Sequence, residues 1–338
     1  MRSGNGNHKT RTSASEYGVI WSQYINDSLS CCILRHFLYW VEDKEIKEVL
    51  TLALELSESH LKSIKHFLKN DDYPVPLGFT EEDVNVNAPR LFTDTFMLVY
   101  INIMAIHGMT RYTGALGTST KQDYMDYFTE CTSQTMDLYK KSTTILLQKG
   151  ILSKAPVLNN HQQVDFIKKQ SFLTGWLGDR RPINSVEISG TYLNLQKTMA
   201  KMVLELGFRQ VSRSKEVRHF MDRGRQVCQK HFDLLSSMLK EDHLSVPRTF
   251  ETEVTDSLAP PFSDKLMLYH IVTLLSSAIG YYGEALAVSQ RRDMAAVYFR
   301  MMTEIGVLAE DGMNLLIKNG WVEQPPGATD YDHLKNQK

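Results

Sequence analysis

Apolar and polar positions along the chain repeat with helical spacing, and the same pattern occurs twice. In the first half an apolar stripe stands at 46, 50, 53, 61, 64 and 68, starting near Glu45. Val217, Met221, Cys228, Leu235 and Met238 form its counterpart in the second half. Thr95 to Thr110 and Leu266 to Gly283 are almost free of charge, and the second has no Asp, Glu, Lys or Arg across 18 residues. That length is at the short end for a membrane span, so both segments are expected to be buried bundle helices, with no span. Ser13-Ala-Ser-Glu16 fits a capping box, and Asn184 precedes Glu187 by the same three residues. Gly150 and Gly320 are each followed six residues later by a proline, and each suits the left-handed turn that closes a helix. Each half therefore reads as four helices. The first runs to about Val41 or Gln210, and the fourth spans about 120–149 or 290–319.

The duplication can be followed residue by residue. An offset of 171 places His60 on His231, Pro76 on Pro247 and Phe79 on Phe250. After a one-residue slip, FTDTFMLVYI from Phe92 lies over FSDKLMLYHI from Phe262, Asp123 meets Asp293, and Gly150 meets Gly320. The copies span 13–156 and 185–326, with a solvated, disordered arm at 1–12 and a tail at 327–338. In the connector, 157–184, Val164, Phe166, Ile167, Phe172, Leu173 and Trp176 predict a short amphipathic helix ending at Gly175 or Gly178. It is expected to dock on the bundles and fix their relation. Asp179-Arg180-Arg181 reads either as an anion or partner site or as a salt-bridged turn before a helix.

Loop lengths set the topology. Helices one and two are joined by a few residues, as are three and four, so each pair folds back antiparallel. Between two and three lie Lys69–Arg90 and Lys240–Pro261, 22 residues each and rich in proline. A helix of this size is roughly 40 Å long, and 22 extended residues reach about 70 Å, enough to return along the whole bundle. One long crossover is the ferritin-like path. The fold expected is all-α, two tandem ferritin-like four-helix bundles with a long crossover between helices 2 and 3 of each. A proline-rich cap over one bundle end is the alternative.

Charge and chemistry narrow the functional classes. Lys and Arg number 38 against 39 Asp and Glu, a net charge of -1, so no global field draws the chain onto nucleic acid. Cys31, Cys32, Cys131 and Cys228 form no CxxC pair, and the N-terminus lacks an apolar core, which together suit a reducing, cytoplasmic setting. A di-iron bundle needs Glu-x-x-His on two helices. Here Ser57 and Cys228 stand where those glutamates would be, three residues before His60 and His231, so that centre fails on ligand count and no cofactor is expected. Cys228, His231 and His270 could still converge on zinc, against the reading of His60, His231 and His270 as hydrogen-bonded core histidines. The glycines from Gly108 to Gly117 suit either close helix packing or room for an apolar ligand.

The tandem layout, the FTDxxMLxY-like start of helix three and the connector VDFIKKQSFLTGWLGDRRPIN resemble an uncharacterised family of duplicated ferritin-like proteins from Bacillus and related endospore formers. Members are sometimes labelled spore coat proteins by distant similarity to coat protein F. The resemblance implies a ferritin-like bundle in each half, a sporulation setting and spore association, and it carries no catalytic residues. The expectation is a non-catalytic structural or interaction protein with an unidentified protein partner. The rival is a bundle that binds a small molecule or metal near His60 and His231. What separates them is whether those imidazoles face a cavity with further polar groups.

Overall fold

The computed structural model describes residues 11–159, 163–176 and 180–329. The described residues form eight α-helices: α1 (Ala14–Trp40), α2 (Lys44–Asn70), α3 (Asp94–Thr118), α4 (Gln122–Gln148), α5 (Ser185–Val211), α6 (Lys215–Lys240), α7 (Asp264–Val288) and α8 (Arg292–Lys318). Among the described residues no strand forms, only two isolated bridges. Both capping boxes are present, on Ser13 and Asn184. Gly150 and Gly320 close α4 and α8 at φ 66° and 67°.

Helix ends show which way each rod runs. Glu16 at the start of α1 accepts the backbone N–H groups of Thr120 (2.7 Å) and Lys121 (2.9 Å) before α4. Burial pushes that carboxyl up, yet the N–H groups of Thr120, Ser13 and Lys121 outweigh it and hold it down to about 2. At the opposite end Asp94, opening α3, accepts the N–H groups of Glu42 and Asp43, which open α2. Helices α2 and α3 therefore start together and run parallel, so residues 71–93 travel the length of the bundle. The second copy repeats both contacts, Glu187 on Gln290 and Arg291, and Asp264 on Arg213 and Ser214. The crossover, not the end cap, is the path taken.

The two bundles share one continuous apolar core, and the crossovers knit it. Each crossover pairs with the other around a pseudo-twofold axis, with Val84 bridging Phe262 and Phe92 bridging Val254. Asn85 N–H donates to Pro261 O, and Thr255 N–H to Leu91 O. The helix caps join in: Ser263 Oγ donates to Asp83 at 2.6 Å, and Thr93 Oγ1 to Glu253. On the axis Tyr100 and His270, which occupy equivalent positions in the duplication, meet at 3.2 Å. A Cβ on Gly207 would lie 2.7 Å from the Phe92 ring, so this glycine admits the other copy's aromatic side chain.

The connector differs from expectation. Its described residues pair with copy two, through Arg180 with Glu241 and Arg181 with Glu187, while the exchanged crossovers join the bundles. Among its described residues it forms a 3-10 turn, Gln170–Leu173, in place of an amphipathic helix. A short helix needs a packed face to persist, and here Val164, Phe166 and Trp176 are 89%, 78% and 64% exposed. Arg181 anchors this stretch, stacked 4.0 Å over Phe172 and paired with Glu187 at 2.7 Å. Arg180 pairs with Glu241, so both arginines serve the salt-bridged turn. Asp179 and Gly178 lie outside the described residues, as do residues 1–10 of the arm and 330–338 of the tail. Thr12, assigned to the arm, is buried and donates to Asp71.

Candidate functional site

Where copy two is closed, copy one is open, and side-chain size explains the difference. Along α1, Gly18, Ser22, Asn26 and Ser30 recur every fourth residue and line a cavity of about 670 Å³ between α1, α3 and α7. Their counterparts on α5 are Ser189, Leu193, Lys197 and Lys201. Those lysines fill the matching space, leaving about 20 Å³ beside Lys197 and Lys201 and an outer groove of about 410 Å³. Gly190 also lets α5 approach α7, since a Cβ at this position would fall 3.0 Å from that of Ala285, whereas copy one has Val19. The close approach lets Asn194 donate to Tyr281 O across the helix pair at 3.2 Å. Gln23 is its counterpart on the splayed α1, and neither amide atom has a hydrogen-bond partner.

The deep side of the cavity is polar. Asp27 lines it and also lines a small void of about 80 Å³ inside the bundle, shared with Ser57, His60, Tyr112 and Thr135. His60 Nδ1 stands 3.4 Å from Asp27 Oδ2 and 3.5 Å from the Tyr112 hydroxyl. Burial pushes the His60 imidazole toward neutrality, yet Asp27 and Cys131 outweigh it and hold the pKa up at about 10. Gln23 lies near Tyr112 without a hydrogen bond of good geometry. Gln23 and Asp27 are only 7% and 5% exposed. An amide buried without partners costs about 1–3 kcal/mol, so these orphaned groups call for an explanation.

The other sequence candidates behave differently. His231 is fully buried and takes up Tyr282 (3.3 Å) and Glu304 (2.8 Å). Burial outweighs Glu304 and lowers its pKa to about 4. Cys228 lies 3.8 Å from Glu205, a wholly buried carboxyl that burial raises to about 8. His270 sits on the pseudo-twofold axis against Tyr100, and burial lowers it to about 3. The three do not assemble as a zinc site would require: among the described residues no three His, Cys, Asp or Glu gather as cation ligands. The histidine register identified His60, but Asp27, Gln23, Glu205 and Glu304 escaped it. Asp27 had a signal, as the only acidic residue between Tyr17 and Val41.

The third helix of copy two, Asp264–Val288, is long and apolar enough to cross a membrane by length and composition. In the fold it packs against α8 and α5. Its His270, Thr273, Leu274 and Ser277 form one wall of the copy-one cavity.

Comparison with known proteins agrees with the duplicated layout. The model of the DUF3231 family, described as a protein of unknown function, matches residues 3–164 and again 171–334. The chain belongs to this family. Its two DUF3231 copies coincide with the two bundles. A crystal structure from Bacillus halodurans, provisionally described as a spore coat protein, is similar at 17% identity and a TM-score of 0.43, covering 44% of this chain and 98% of that one. No curated protein matches.

Proposed function

We propose that this DUF3231 protein is a non-catalytic binding protein in which copy one holds a small amphipathic molecule and copy two braces it. The cavity beside Gln23 and Asp27 carries this reading: its size and apolar wall with a few convergent polar groups are those of ligand sites. Cys131 lines neither cavity, so a molecule held beside Gln23 and Asp27 does not lie against its thiol, which supports binding over nucleophilic chemistry. The neutral fluorophore N-phenyl-1-naphthylamine tests it. Saturable enhancement at one site per chain is expected, and no saturable signal contradicts the reading.

The sporulation setting rests on the resemblance in the connector and helix three. A fluorescent fusion followed through development is expected to concentrate at the forming spore, and an unchanged vegetative distribution contradicts that.

A further inference from the structure

We infer that the copy-one cavity selects a neutral amphiphile whose head both donates and accepts hydrogen bonds, an alcohol or primary amide, over a carboxylate or amine of equal chain length. The inference rests on the binding reading above and names the chemistry of the ligand.

The walls supply the apolar half of this preference. Val19, Leu29, Met104, Phe128 and Leu274 offer hydrocarbon contact along the cavity. At the deep side the Gln23 amide leaves one donor, Nε2, and one acceptor, Oε1, unused, and the Asp27 carboxylate, whose Oδ2 faces His60 Nδ1 at 3.4 Å, has further lone pairs to offer. A hydroxyl has one proton to donate and lone pairs to accept with, so it can serve Gln23 Oε1 or Asp27 while receiving from Gln23 Nε2. A primary amide matches the same set.

Ions fit less well, because the charges already present cancel. Asp27 and His60 face each other 3.4 Å apart, and both are almost wholly buried. A carboxylate entering there has no proton to give and meets the Asp27 charge. An ammonium group can donate, but it is brought toward an imidazolium that Asp27 already neutralises. Either ion would lose its hydration without gaining an unpaired counter-charge. Arg111, also lining the cavity, is exposed and reaches Ser277 at 3.4 Å, so it marks the rim and not the deep end.

The test is a displacement series on the full chain at pH 7 with 1-decanol, decanoate and decylamine against bound N-phenyl-1-naphthylamine. Decanol is expected to bind about tenfold or more tighter than either ion. Gln23→Leu, close in volume and lacking the orphaned amide, is expected to fold at least as stably and to lose most of that preference. Tighter or equal binding of decanoate would overturn the inference in favour of an anchor at Arg111, and tighter or equal binding of decylamine would overturn it in favour of a cation at Asp27. Both results leave the cavity itself standing as a site. Failure of the fluorophore and of all three compounds to bind would instead remove the binding reading on which the inference rests.

Discussion

His60 and His231 occupy one position of the duplication and are driven in opposite directions by what surrounds them. Asp27 on α1 holds His60 protonated, whereas Thr198 at the matching place on α5 offers no charge. The folded pKa of His60, about 10, lies above the ordinary 6.5, so its contribution to stability is complete below about pH 6.5 and disappears as pH rises toward 10. For His231 the folded value of about 4 lies below 6.5, so its contribution is present above pH 6.5 and is lost as pH falls toward 4. Denaturation midpoints followed over pH 5 to 10 should show the alkaline loss reduced in His60→Gln and the acid loss reduced in His231→Gln. Unchanged slopes in both variants would contradict these assignments. The position of the histidines could be read from spacing alone. Their charge could not, because it depends on a partner from a helix distant in sequence.

At the level of helices, one small side chain decides how closely two rods approach. Gly190 brings α5 against Ala285 of α7, and Val19 replaces it in the open copy. Gly190→Val would force the pair apart, since even a bare Cβ lies 3.0 Å from Ala285, and overpacking of this kind costs about 1–3 kcal/mol. Urea unfolding should show that loss, and the Asn194 bond to Tyr281 O should break with it; an unaffected midpoint would mean that the gap between α1 and α3 has another cause. The helices and their caps were legible because each is encoded locally, by Ser13 with Glu16, by Asn184 with Glu187 and by the glycines that end α4 and α8. The connector was misread because its apolar residues suggested a packed face, and packing depends on a partner surface that composition does not reveal.

Across the whole molecule the duplication has produced a division of labour. The exchanged crossovers tie both copies into one core, with Ser263 bound to Asp83 and Thr93 to Glu253. That mutual embrace was not legible, since a crossover long enough to return along its own bundle can also lean on a neighbour. Within this shared frame Lys197 and Lys201 fill in copy two the space that Asn26 and Ser30 leave in copy one. The contrast is tested most directly by counting 1-decanol sites by calorimetry in two variants at one duplicated position. A Cβ on Gly18 meets nothing within 4 Å, so Gly18→Phe can fill the copy-one cavity, and Ser189→Phe places the same ring in the outer groove of copy two. The account predicts one site per chain, abolished by Gly18→Phe and retained by Ser189→Phe. Two sites per chain, or binding that survives Gly18→Phe and vanishes with Ser189→Phe, would contradict it.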